Sequence, residues 1–381
     1  MPLDKIDPRQ RAWVEVSPQA IKENTQAIKG LLHESCDLMA VVKADGYGHG
    51  SETVAHAALS GGATSLGVAT LQEGIDLRKE GIHCPILILG NLINTEDLES
   101  CLSWDLMLTL SSPKEAMLCQ KLAEAQSKEV SVHVKVDTGM TRLGCDLENA
   151  SSLVDLVQNL GNVCLKGIYS HLALADDENS AKSELFSLQQ KQRFDYVLSS
   201  LSPENRNLCK HLANSAGTLR YKNFHLDMVR VGLALYGYSP IKKFRSNIVL
   251  QPALAVRARV TLIRDVPSGT GVSYGHNFKT KRLSRLAVVG IGYADGINRA
   301  LSGKISVLID GITYPQVGSI TMDQMLIDIT EKPNISVGAV VTLLGVDGPK
   351  SITPYQWSEL SGSIPWEILC GFKYRLPRVV I

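Results

Sequence analysis

A lysine closes a short apolar run and a glycine-rich turn follows it: Ala40-Val-Val-Lys-Ala-Asp-Gly-Tyr-Gly-His-Gly, with the lysine at 43. The segment 38–42 has the composition of a buried strand, so Lys43 emerges where α/β folds expose side chains to ligands. An amine partly stripped of water loses charge stabilisation. Its lowered pKa makes it a nucleophile able to form a Schiff base with an aldehyde cofactor. A solvated strand-end lysine is the plainer alternative, and Lys43 alone does not exclude it.

The elements around Lys43 sharpen the reading. Eight short β-branched or aliphatic runs (38–42, 65–69, 85–89, 106–110, 131–136, 165–169, 208–212 and 228–231) alternate with longer helix-like stretches. In 113–128, for example, Ala116, Met117, Cys119, Leu122 and Ala123 fall near helical spacing. Eight strand–helix units predict an α/β fold with an N-terminal (β/α)8 TIM-like barrel over 14–244. Barrel sites lie at the C-terminal ends of the strands. There the chain places Lys43 after the first run, Arg142 after the fifth, His171 after the sixth and Ser215 after the seventh, with Arg230 on the eighth. The fifth run alternates strictly, which sends Val132, Val134 and Val136 to the helices and His133, Lys135 and Asp137 inward. An interior lysine must be paired, deprotonated or chemically modified. An ion pair of Lys135 with Asp137 is as reasonable as a special role.

After residue 237 the texture changes. The runs 256–264, 286–291, 305–309, 324–329 and 339–344 alternate apolar and polar residues between Gly, Pro, Asp and Asn turns, which predicts a C-terminal all-β domain over 245–381. A strand in 11–16 precedes the first barrel unit, and the N-terminal segment 1–13 is expected to join the β domain. Tyr274 and Tyr293 each sit among small residues that allow a close approach.

The chain of 381 residues is 44% hydrophobic with a formal net charge of +1, so sizeable cores are expected and no nucleic acid or membrane partner. Eight scattered cysteines without a Cys-x-x-Cys pair point to reduced thiols in a cytoplasmic protein, with neither a disulfide framework nor a metal site. The partner expected is a small molecule.

Together with Val134-Lys-Val-Asp-Thr-Gly-Met-Thr-Arg-Leu-Gly, Ser170-His171, Asn214-Ser-Ala, Arg230-Val-Gly-Leu-Ala-Leu-Tyr-Gly, Val272-Ser-Tyr-Gly, Gly292-Tyr-Ala-Asp-Gly, Met322-Asp-Gln and Tyr374-Arg-Leu-Pro-Arg, the Lys43 segment resembles the alanine racemases nearly end to end. These are pyridoxal-phosphate enzymes with a barrel and a C-terminal β domain. The resemblance implies that Lys43 carries pyridoxal 5′-phosphate and acts as one catalytic base, with Tyr274 as the other. It implies that Arg230 faces the pyridine nitrogen, that Tyr47, Asn214, Ser215, Gly232 and Leu233 serve cofactor binding, and that His171 links Arg230 to Tyr274. Arg142 and the backbone of Met322 would orient the substrate carboxylate, with Tyr293 beside them. Lys135 matches a lysine that many members carry as a carbamate. Trp366 departs from the family pattern: many members have a tyrosine there, contacting the phosphate and narrowing the entrance. The active unit implied is a homodimer with shared sites, in which Tyr274, Tyr293 and Met322 reach the lysine of the opposite subunit. The implied activity is interconversion of L- and D-alanine, supplying D-alanine for peptidoglycan.

Three other readings stand beside it. A pyridoxal-phosphate decarboxylase of basic amino acids shares the architecture but normally places a glutamate near the ring nitrogen, where this chain has Arg230. A cofactor carrier built on the same barrel lacks a second domain. A racemase of serine, lysine or arginine differs only in pocket dimensions.

Overall fold

The computed structural model describes residues 7, 9–92, 94–177, 179–241, 248–332 and 334–381. The expected boundary at 244–245 lies outside the described residues. Contacts divide the chain into two compact units, one of Met1–Pro18, Tyr47–Gly50 and Pro252–Ile381, the other of Gln19–Gly46 and Ser51–Gln251. Strand β1 (Ala12–Val16) belongs to the first.

The second unit is the parallel barrel. Its strands are β2 (Asp37–Val41), β3 (Ser65–Val68), β4 (Ile86–Ile88), β5 (Leu108–Leu110), β6 (Val130–Lys135), β7 (Val163–Tyr169), β8 (Cys209–His211) and β9 (Met228–Val231). They pair in the order β4-β3-β2-β9-β8-β7-β6-β5. A bridge between Leu87 and Met107 closes β4 onto β5. Strands covered by helices on the outside and side chains within are buried throughout, as β3, β4, β5 and β9 are. The helix Leu147–Gln158 shows how the outer layer fits, burying Ala150, Leu153, Val154 and Val157 as one stripe. Met39, Leu87, Tyr169 and Met228 fill the interior.

One arginine holds the closing seam. From the helix Leu71–Lys79, Arg78 donates through Nη1 to the carbonyls of Ile82 (2.7 Å) and Cys84 (2.8 Å), just before β4. Its Nε and Nη2 reach the carbonyls of Trp104 (3.0 Å) and Asp105 (2.7 Å), ahead of β5.

The other unit is mostly strands: β10 (Leu254–Val266), β11 (Gly271–Val272), β12 (Phe278–Lys279), β13 (Ser284–Val289), β14 (Ser306–Ile309), β15 (Ile312–Val317), β16 (Met325–Asp328), β17 (Val340–Asp347), β18 (Lys350–Ile352) and β19 (Arg378–Val380). Nine strands run β18-β17-β14-β15-β16-β13-β10-β1-β19, with β1 antiparallel to β10 and parallel to β19. The alternation expected of β10 appears as alternating burial along its first half. An all-β unit is too simple, however. Two helices, Pro354–Ser361 and Pro365–Cys370, start on prolines preset for a first helical turn. Asp295 is buried and takes both guanidinium nitrogens of Arg11 (2.8 and 2.7 Å) plus the N–H of Gly292 (3.0 Å), which accounts for the aspartate of the Gly292-Tyr-Ala-Asp-Gly turn.

Arg78→Ala should cost at least about 2 kcal/mol of stability, because it strips donors from a cluster of carbonyls. Arg78→Lys, without the fork, should recover less than half of that. Urea denaturation of the two variants checks this; stability equal to wild type would mean that Arg78 does not hold the seam.

Candidate active site

Lys43 stands two residues beyond β2, half-buried. Behind it Ala44, Asp45 and Gly46 are all left-handed, with φ of 53, 53 and 58°. That region costs an ordinary L-residue about 1–2 kcal/mol. A Cβ at Gly46 would lie 2.8 Å from Val54 Cγ2, so only glycine fits. The strained turn is tied down by carboxylates. Glu73 Oε1 accepts the Ala44 N–H at 2.7 Å, and its Oε2 accepts those of Ala69 (2.7 Å) and Thr70 (3.2 Å). Asp45 Oδ1 accepts the Ser51 N–H at 2.9 Å. Sequence reasoning missed Glu73; its one visible signal is the capping box it forms with Thr70.

β9 carries Arg230 into the barrel interior, 3% exposed. Nη2 donates to the carbonyls of Ser170 (2.6 Å) and Leu212 (3.3 Å) and meets His171 Nδ1 at 3.1 Å. Nη1 meets His211 Nδ1 at 3.1 Å. The guanidinium lies 4.9 Å over the Tyr169 ring, and His211 stacks on that ring with centroids 4.6 Å apart. Burial draws Arg230 down to about 10, so it stays a cation at neutral pH. Burial first and Arg230 second hold His171 and His211 well below the usual imidazole range, and both rings are neutral.

β6 sends His133 and Lys135 inward as its alternation predicts, and both are buried. Asp137 does not pair with Lys135. Its Oδ1 instead accepts the N–H groups of Gly139, Met140 and Thr141 at 2.9, 2.9 and 3.1 Å, because the loop leading to Arg142 turns three orphan donors onto one oxygen. Among the described residues no carboxylate lies within ion-pair distance of Lys135. Desolvation, then Arg230 and Arg142, pull its amine down to about 8; Asp137 pushes back, and Lys43 adds a last, smaller pull.

Beyond β8, Asn214 caps the helix Ser215–Arg220 by accepting the Gly217 N–H at 3.0 Å. Ser215 Oγ accepts the Gly232 N–H at 2.9 Å, bringing this hydroxyl beside the turn Leu233–Tyr236 that follows β9. Lys43, Lys135, Arg142 and Arg230 therefore share one end of the barrel, where the nearby carboxylate of Asp137 is already committed to backbone. Such an excess of positive charge calls for an anion. A primary amine, a serine hydroxyl and buried cations fit a phosphorylated aldehyde such as pyridoxal phosphate.

In the strand-rich unit Tyr47 is buried, and burial pushes its hydroxyl well up from the usual phenol range. Tyr274 follows Ser273, whose φ of 62° and ψ of −170° lie in a region normally left to glycine. Ser273 Oγ donates to the Ser319 carbonyl (2.7 Å), and Ser319 Oγ to that of Tyr274 (2.8 Å). The Tyr293 N–H donates to the Thr321 carbonyl (2.9 Å), and the Ala294 N–H to that of Met322 (3.0 Å). A Cβ at Gly292 would stand 2.3 Å from the Thr321 oxygen. Tyr274, Tyr293 and Met322 are exposed on these linked turns, at 72, 42 and 53%. Trp366 is half-buried on the helix Pro365–Cys370.

A parallel barrel whose strand ends gather a reactive amine among cations, carried with a strand-rich unit that displays phenols, defines a barrel enzyme for small anionic substrates. Residues 16–240 match the family model of the alanine racemase N-terminal domain, and 253–380 that of the alanine racemase C-terminal domain. An alanine racemase of Prochlorococcus marinus is 73% identical over 381 residues, covering 100% of this chain and 99% of that one. One from Synechocystis is 48% identical, covering 98% and 100%. Among solved structures, alanine racemase from E. faecalis superposes with a TM-score of 0.91 at 34% identity, over 97% of this chain and 98% of that one. Alanine racemase from Bartonella henselae with covalently bound pyridoxal phosphate gives 0.85 at 30%, over 97% and 99%. The chain belongs to the alanine racemase family. Among the described residues no helix is long and apolar enough to cross a membrane.

Lys135 yields a pH signature. Its folded pKa, about 8, lies below the ordinary 10.5, so the native state binds fewer protons than the unfolded state between those values, and stability rises with pH there. In carbonate-free buffer without cofactor, Lys135→Met should therefore raise Tm at pH 7, and its advantage should shrink as pH climbs from 8 towards 10.5. A difference that stays constant across that window would contradict the buried-cation account.

Proposed function

We propose that the chain interconverts L- and D-alanine with pyridoxal phosphate, by a two-base mechanism, and supplies D-alanine for peptidoglycan. The observation that carries the reading is Lys43, held on a strained turn at a cation-rich barrel end. When bound, pyridoxal phosphate supplies an electron sink that acidifies the amino acid's Cα–H. The rest falls to side chains. Lys43 anchors the cofactor and exchanges a proton at Cα on one face. Tyr274 does so on the other, since inversion needs deprotonation and reprotonation from opposite sides. Arg230 donates to the ring nitrogen, and its retained charge prevents it from giving that nitrogen a proton outright. Neutral His171 accepts from Arg230 at Nδ1 and keeps its proton on Nε2; the family resemblance gives it the role of linking Arg230 to Tyr274. Tyr47, Asn214, Ser215, Gly232, Leu233 and Trp366 hold the phosphate. Arg142 and the Met322 N–H orient the substrate carboxylate beside Tyr293.

Lys135 serves as a carbamate. An amine with a pKa near 8 is partly neutral at pH 7, as attack on carbon dioxide requires; the N–C bond forms as one C=O π bond opens onto oxygen, the N–H proton leaves to water, and the product replaces the cation with an anion facing Arg142. The enzyme acts as a homodimer with shared sites, a reading supported by the exposure of Tyr274, Tyr293 and Met322. It works in the cytoplasm, which suits eight scattered cysteines without a Cys-x-x-Cys pair.

Incubation with pyridoxal phosphate and L-alanine in D₂O should show Cα–H exchange by NMR together with D-alanine by chiral chromatography. Tyr274→Phe should lower racemisation at least about 100-fold while exchange at Cα of one enantiomer persists. Carbon dioxide release, or absence of turnover with every amino acid tried, would sink the racemase reading. Light scattering behind size exclusion should find activity only in the dimer peak; an active monomer would remove the shared sites.

A further inference from the structure

We propose that His133 is a positioning residue for Arg230, acting through His211. Arg230 sets the direction of the chain, because a guanidinium only donates. His211 Nδ1, 3.1 Å from Nη1, must therefore accept. A neutral imidazole with a bare Nδ1 carries its proton on Nε2. That nitrogen lies 2.9 Å from His133 Nδ1, which accepts in turn. The chain Arg230→His211→His133 thus has one allowed direction. Reversing either imidazole sets two N–H groups against each other. The two rings meet edge to face, with centroids 5.0 Å apart and planes at 83°, so the contact is a hydrogen bond and not a stack.

Space for the third member is built into the barrel. A Cβ at Gly167 would stand 2.6 Å from His133 Nδ1 and 2.5 Å from the Cys209 carbonyl. The pairing of β6 with β7 shifts register at the same place, between Val132 and His133. Burial first, then Arg230 and Lys166, lower His133 to about 4, so the terminal acceptor does not charge at working pH. Without it, His211 Nε2–H is left buried without its acceptor, and the ring is no longer braced where its Nδ1 meets Arg230 Nη1. Arg230 would then be held firmly only through Nη2, by Ser170, His171 and Leu212.

The consequence for the cofactor rests on the racemase reading, whereas the tautomer does not. Imidazole ¹⁵N NMR of cofactor-free protein should show His211 with a protonated Nε2 and a bare Nδ1. His133→Phe, which removes the acceptor, should move the His211 Nε2–H proton signal upfield and speed its exchange, and His133→Gln, whose side-chain oxygen accepts, should restore the wild-type pattern. In the holoenzyme, His133→Phe should weaken pyridoxal phosphate binding about tenfold, the scale of one hydrogen bond to a charged group. It should lower kcat with the KM for alanine nearly unchanged, and His133→Gln should recover both. A His211 Nε2–H signal indifferent to His133→Phe would overturn the proposal, as would a shifted signal that leaves cofactor affinity at the wild-type value. The expected His211 response to His133→Phe, in a protein whose wild type racemises nothing, would leave the relay standing and remove the assigned activity.

Discussion

The constraint on which the barrel interior depends is the burial of Arg230. A guanidinium taken out of water inside a barrel is costly unless its donors are met and its charge is offset. Among the described residues no carboxylate pairs with it; its charge is spread over two carbonyl oxygens, two neutral imidazoles and the face of Tyr169. Each partner has its own support. Tyr169 shares a 2.8 Å hydrogen bond with Thr109, which donates to the Ile88 carbonyl at 2.7 Å, so strands β4, β5 and β7 all stand behind the platform under the guanidinium. An arrangement that uses dipoles in place of a countercharge leaves Arg230 with its full charge directed at whatever occupies the barrel end.

The same choice propagates to its neighbours. Lys135 shares the Tyr169 ring, 5.5 Å from its centroid, and feels Arg230 as the second-largest influence after desolvation. Asp137, two residues on, is the natural partner for that amine, yet it organises the loop before Arg142. Had Asp137 paired with Lys135, the loop would lose its centre. Committing the acid to backbone leaves Lys135, among the described residues, with no carboxylate at ion-pair distance, in the field of Arg230 and Arg142.

Much of this was legible in the sequence, and the division has a physical basis. Periodicity reports local geometry, so the run 228–231 is β9 to the residue, and 208–212 contains β8. Alternation along β6 likewise turns His133 and Lys135 inward. What spacing cannot report is which residue meets which across the barrel. The pairing of Lys135 with Asp137 failed for that reason, since three backbone donors outcompete one amine for the same carboxylate. Glu73 lies 29 positions from the amide it restrains, His133 lies 78 from His211, and Arg78 serves carbonyls up to 27 away. The two C-terminal helices were missed because their runs are short and sit among strands, although each begins with proline.

Strain supplies the remaining step. Left-handed backbone at non-glycine residues directly follows Lys43, and a conformation normally reserved for glycine directly precedes Tyr274. In each unit the unfavourable turn is restrained from a separate segment: Glu73 holds Ala44 in the barrel, and the reciprocal bonds of Ser273 and Ser319 hold the tyrosine turn. A free loop relaxes away from such angles, so their persistence means the surrounding fold over-determines them. The two side chains assigned to proton transfer are thus the ones whose backbones are fixed before substrate arrives. A base aimed in advance needs no reorganisation as the proton moves, and that is where a racemase limited by the acidity of a Cα–H gains most from its fold.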